Sequence, residues 1–245
     1  MANWVTHLMI ADEILLSCPY LDARGFSAGS IAPDCNVENE DWTSFTPSRE
    51  VTHWMDGTIK DEDDCERFRD RYFLARKKEI DSKEEYAFML GYYAHLIEDA
   101  EYMQFLRNPA RVQNAWARIE KSEEFRQEAE KYEKTWSGLK SLMGKERRLK
   151  EVYAIEREYL LAHPESGYNK YILPMKSFPD YIDYLPKNAI VRKIGVMGAL
   201  PEAEKTPVSF VGITKEELYS FVKDTSLKVQ KRIREAEALF ENTDI

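Results

Sequence analysis

His95 and Asp99 stand one helical turn apart in "YYAHLIEDA" (92–100), inside the most apolar stretch of an otherwise charged chain. Residues four apart share a helix face, so the pair offers an imidazole and a carboxylate to the same neighbour. A buried carboxylate is expensive unless a cation compensates it. Two readings follow. Either His95 is a hydrogen-bonded core histidine and Asp99 the partner of an Arg or Lys elsewhere, or both are ligands of one metal ion. Phe88, Tyr92 and Tyr102 continue the same face, and at helical spacing the two tyrosines read as core rather than as the lining of a cleft.

The chain has four histidines. His7 falls on the apolar stripe of the first predicted helix, not on its polar face. His53 follows a polar loop, in "EVTHWMDG". "GSIAPD" (29–34) ends in Asp34 after a Gly and a Pro that favour a tight, ordered turn. His163, in "LLAHPESG", stands at a helix end, where stabilising the helix dipole is a sufficient role.

These residues need elements to hold them. Over 4–17, Trp4, His7, Leu8, Ala11, Ile14 and Leu15 recur at helical spacing, with Asp12 on the outer face. From Pro19 to about Pro47 the Gly-, Ser-, Pro- and Asn-rich composition reads as a loop. Helical patterns run from about Asp61 to Lys78 and from Lys83 to Leu106. The second of these is apolar on all sides from Ala87 to Ile97 except at His95, which predicts a central, surrounded helix. Asn108 and Pro109 form a cap and first turn for another helix. Further helices are predicted over 145–162 and, from the capping box "TKEE" at 214–217, to Phe240. A Pro- and Tyr-rich connector occupies 164–186. No run reads as a strand, so the expected class is all-α, a single helical domain over 1–245 with its chemistry-bearing motifs in 1–106.

The 245 residues carry a net charge of −9, with 43% hydrophobic and 32% charged side chains. That balance is globular and argues against stable nucleic-acid binding or attraction to an anionic membrane. Basic clusters at 75–78, 145–150 and 228–234 lie among acidic neighbours and read as solvated helix faces. Three cysteines, Cys18, Cys35 and Cys65, form no CxxC pair, so neither a disulfide framework nor a cysteine zinc knuckle is expected. The amino-terminal stretch is amphipathic rather than a secretory signal, and no apolar run is long enough for a transmembrane segment. The expected location is cytoplasmic.

Four motifs together, "WVTHLMIADEIL" (4–15), "GSIAPD" (29–34), "THW" (52–54) and "FMLGYYAHLIEDA" (88–100), resemble the zinc-dependent phospholipase C family. More distantly they resemble the P1-type nucleases. The resemblance covers the first hundred or so residues. It implies a phospholipase C/P1 nuclease-like helical bundle with a metal cluster, hydrolysing a small phosphate ester or a phospholipid-type substrate. Carried over, Asp34, His53, His95 and Asp99 are ligands of one zinc, and Asp99 bridges to a second ion held by His7. Asp34 is also the residue expected to orient or deprotonate the attacking, metal-activated water. The residue types agree independently, since imidazole and carboxylate suit zinc and ligands from separate helices meet only in the folded chain.

The departures limit the cluster. Secreted members use the amine and carbonyl of a terminal Trp, whereas Trp4 is internal. They hold a third zinc through two more histidines and a Glu, one His and the Glu as H-x-x-x-E. Beyond Asp99 only His163 remains, with Gly167 four residues later. One or two ions, zinc or another divalent transition metal, is therefore the expectation. The alternative is a non-catalytic helical metal-binding protein with a structural or partner-binding role. "GFSAG" (25–29) matches a serine-hydrolase elbow in letters, but its flanks read as neither the required strand nor helix. "EVTH" (50–53) lacks the second E-x-x-H of a di-iron bundle.

Overall fold

A computed structural model describes residues 2–56, 62–202 and 207–242, and among these the chain is mostly helical. The helices are α1 (Trp4–Ser17), α2 (Ala23–Gly29), α3 (Arg49–Thr52), α4 (Glu62–Phe68), α5 (Lys83–Arg107), α6 (Pro109–Ile119), α7 (Arg126–Ala129), α8 (Trp136–Ala162), α9 (Ala189–Met197) and α10 (Lys215–Asn242). A two-stranded antiparallel hairpin, β1 (Val37–Glu38) with β2 (Phe45–Thr46), pairs Val37 with Thr46 and Glu38 with Phe45. None of the described helices is long and apolar enough to cross a membrane. The chain divides into two compact units.

One unit comprises Met1–Ala100, Pro164–Ala199 and Lys223–Ile245. Here α5 is the buried axis: every residue from Ala87 to Ala100 is buried, as its all-round apolar sequence requires. Burial on α1 is wider than one stripe, taking in every residue from Trp4 to Ala11 as well as Ile14. The stretch from Pro19 to Pro47 is not simply a loop. Asp22 caps α2 by accepting from the Gly25 amide at 2.7 Å, and a 3-10 turn over Ala32–Asp34 follows.

What makes α2 worth forming is its contact with α5. A Cβ on Gly25 would lie 2.3 Å from the Glu84 carbonyl oxygen, and one on Gly29 2.2 Å from that of Phe88. The "GFSAG" glycines thus let two helix backbones touch, which is their structural use here. Asp12 is not a bystander on the outer face, because its carboxylate accepts from the Gly167 amide at 2.8 Å. The predicted helix from about Asp61 begins outside the described residues, and α4 continues into a π-helical turn over Arg69–Leu74. Glu38 on β1 takes Arg192 and Lys193 of α9 at 2.7 and 2.9 Å, fixing the hairpin to that helix.

The other unit comprises Glu101–His163 and Leu200–Val222. Its core is Val112, Ala115, Trp116, Ile119, Phe125, Ala129, Leu139, Met143 and Val211. Asn108 caps α6 by accepting from the Arg111 amide at 3.1 Å. At the start of α10, Thr214 and Glu217 bond each other's amides reciprocally, at 3.2 and 3.0 Å, as the capping box predicts. Buried Glu151 gathers the amides of Val211, Gly212 and Ile213 at 2.8–3.0 Å, clasping that loop to α8. Gly144, at φ +69, breaks α8 before the predicted 145–162 segment.

Candidate metal centre

His7, Asp34, His53, His95 and Asp99 come together in the first unit. Helix α1 brings His7, the 3-10 turn brings Asp34, the residue ending α3 is His53, and α5 brings His95 and Asp99. Two overlapping triads result, His7–His95–Asp99 and Asp34–His53–His95, each with ligand-type atoms within 4.8 Å of one another. The remaining histidine, His163, ends α8 in the other unit with its ring 4.4 Å from that of Tyr159.

The hydrogen bonds on the far side of each ring decide what faces inward. His95 Nδ1 is 2.8 Å from the Ser30 carbonyl oxygen, which can only accept, so Nδ1 carries the proton. His53 Nδ1 is 2.9 Å from the Thr52 hydroxyl, whose own proton goes to the Arg49 carbonyl at 3.3 Å. His7 Nδ1 is 2.5 Å from Glu98 Oε2. Each imidazole is thereby pinned at Nδ1 and turns Nε2 to the common centre. The Nε2 atoms of His53 and His95 lie 3.4 Å apart, two lone pairs converging on one point. His7 Nε2 is buried without a hydrogen-bond partner among the described residues. Lone pairs so placed fit a cation.

Asp99 divides its oxygens between the triads. Oδ1 is 3.7 Å from His7 Nε2 and accepts from the Ala2 amide at 3.1 Å. Oδ2 is 3.5 Å from His53 Nε2, 4.0 Å from His95 Nε2 and 3.1 Å from the Arg49 guanidinium. Of the two sequence readings of Asp99, the Arg partner is present as Arg49, and the carboxylate is also placed where it could be a ligand. His95 is different, because its single Nε2 lone pair belongs to both triads and can serve one ion only.

Electrostatics point the same way. Among the described residues, the three carboxylates Asp34, Glu98 and Asp99 have the guanidinium of Arg49 as a charged partner, its side chain 37% exposed. Burial works against a charged His7, but Asp99 and Glu98 outweigh it and hold the imidazole up at about 9. A proton on Nε2 supplies part of the missing positive charge there, and a metal ion taking that lone pair would replace it. Burial, then the charge on His7, push His95 well below the usual imidazole range. Burial alone would raise both aspartates, yet His53 and His95 bring Asp34 below the usual carboxylate range, and His7 and His95 do so for Asp99. Glu98 is the exception: burial raises it.

Two residues of the cluster, Arg49 and Glu98, do not stand out in the sequence. Glu98 has a signal in retrospect, lying one turn beyond His95 at the end of the buried apolar stretch of α5. Tyr92 is core, its hydroxyl donating to the Thr52 carbonyl at 2.5 Å and accepting from Tyr184 at 2.8 Å. Tyr102 is core too, packed on Phe105 and Phe221. Ser27 of "GFSAG" donates to the Ala23 carbonyl at 2.7 Å within α2 and lacks the strand-turn-helix setting of a nucleophile. Ser27→Ala and His163→Ala are therefore expected to leave metal content unchanged by elemental analysis. Loss of metal in either would mean that the cluster has been assigned to the wrong residues. Comparison of the chain with protein-family models, curated proteins and solved structures gave no match.

Proposed function

We propose that the chain is a zinc-dependent hydrolase of phosphate esters, a phosphodiesterase of the phospholipase C type. The observation that carries the reading is the convergence of three Nδ1-anchored imidazoles on two carboxylates. The family resemblance of the same residues supplies the reaction class. A bound zinc ion polarises a phosphoryl oxygen and lowers the pKa of water towards about 7. Asp34, His53, His95 and Asp99 Oδ2 would hold one ion, and His7 with Asp99 Oδ1 a second. Asp34 is the most exposed of the five, its side chain at 15%, so it meets a solvent-borne reactant first and orients the attacking water. Arg49 keeps one nitrogen on Asp99, and its side chain is 37% exposed, so its guanidinium would be the group to meet a phosphoryl oxygen.

Burial favours a second reading. The His7, His53, His95 and Asp99 side chains are at most 3% exposed, which suits a structural ion that never meets a substrate. The two readings part on one experiment. Metal-replete protein is assayed on an activated aryl phosphodiester, then chelated, then repleted with zinc. Hydrolysis that disappears on mild chelation and returns with zinc supports the hydrolase. Failure of the replete protein to cleave aryl, nucleotide, sugar or phospholipid diesters, with metal lost only on unfolding, would establish the structural ion instead.

A further inference from the structure

Glu98 is wholly buried beside the cluster. Its Oε2 binds His7 Nδ1 at 2.5 Å, while Oε1 is buried without a hydrogen-bond partner among the described residues. The three histidine anchors are thus unequal: a carbonyl for His95, a hydroxyl for His53 and a full carboxylate for His7. Holding the His7 ring needs only an acceptor, which a neutral amide would provide. Burying a charge with one oxygen unpartnered is costly unless a cation lies near. Through the ring, a carboxylate on Nδ1–H makes Nε2 a stronger donor to a metal.

The need for that help is local. If His95 spends its one lone pair on the ion of Asp34 and His53, the second position keeps, among the described side chains, His7 Nε2 and Asp99 Oδ1. Two side-chain ligands make a weak site. We propose that Glu98 is a positioning residue that sets the affinity of this second ion, fixing the His7 tautomer and lending charge to an otherwise under-ligated position. The proposal rests on the metal reading above.

Cobalt(II), whose absorption reports its coordination, is titrated into chelator-stripped wild type, Glu98→Gln and Glu98→Leu. Wild type is expected to bind one ion tightly and a second more weakly. Removing an outer partner of a ligating histidine typically costs about 10–100-fold in metal affinity. Glu98→Gln, which keeps an acceptor but loses the charge, should weaken the second ion about tenfold, and Glu98→Leu about a hundredfold. The first ion should hold in both. The imidazole nitrogen shifts of His7 should keep the Nδ1–H form in Glu98→Gln. Unchanged affinity for the second ion in Glu98→Gln would overturn the proposal, and this variant decides alone if Glu98→Leu does not fold. Equal weakening of both ions would overturn it too, as would a wild type that binds a single ion. A wild type that binds none would instead remove the metal reading on which the proposal rests.

Discussion

Asp99→Asn is expected to lose bound metal and, with it, hydrolysis of any phosphodiester the wild type cleaves. Both oxygens are engaged, Oδ1 towards His7 and Ala2 and Oδ2 towards His53, His95 and Arg49. An amide keeps one oxygen and replaces the other with an NH2 group. On the Oδ2 side that group would face the Arg49 guanidinium, donor against donor. On the Oδ1 side it would face the Ala2 N–H, again donor against donor. Either way the charge that an ion needs is lost. Metal catalysis contributes several kcal/mol, at about 1.4 kcal/mol per tenfold, so turnover should fall by roughly a thousandfold or more. Elemental analysis after gel filtration and the aryl diester assay check this together, with circular dichroism to show that the helices remain. A folded variant that keeps wild-type metal content would remove Asp99 from the cluster.

Much of this arrangement is legible in the chain because it rests on local chemistry. Asn108 and the Thr214–Glu217 box announce their helices by side chains that bond backbone amides within a few residues. The all-apolar run of α5 announces its own burial. His95 and Asp99 then need only helical spacing to share a face. Long-range partners are another matter. Nothing near Arg49 in sequence says that it will reach Asp99, fifty residues on. Glu98 looks like one acid of an "EDA" run until α1 is folded against α5 and His7 arrives. Helix α2 is hidden for a related reason. Its two glycines lower intrinsic helix propensity, and the compensation comes from α5, which no local window contains.

That compensation gives the other large expected effect. Gly91→Ala should both destabilise the protein and weaken its metal binding. A Cβ on Gly91 would lie 2.2 Å from the Phe26 carbonyl oxygen and 3.1 Å from the Ser30 amide nitrogen. These are backbone atoms, so no side-chain rotation relieves the clash and α2 must move off α5. Overpacking of this kind costs about 1–3 kcal/mol, and more where backbone must shift. The better helix propensity of Ala returns only about 1 kcal/mol. With backbone atoms on both sides the upper figure applies, leaving about 2 kcal/mol net; for a chain of this size each kcal/mol is worth about 2–4 °C in Tm, so a fall of roughly 4–8 °C is expected. The displacement carries further, because Ser30, just past the end of α2, accepts from His95 Nδ1 and Asp34 follows in the next turn. Shifting α2 loosens the bond that fixes the His95 tautomer and moves a candidate ligand in the same step. Gly195→Ala on α9 is the control, since a Cβ there meets nothing within 4 Å and the substitution should be neutral or stabilising. Thermal melts of the two variants, with and without zinc, separate the effects. The zinc-induced rise in Tm should be wild-type in Gly195→Ala and reduced in Gly91→Ala. A Gly91→Ala protein with wild-type Tm and the full zinc-induced rise would show that the close approach of α2 and α5 does not position the metal centre.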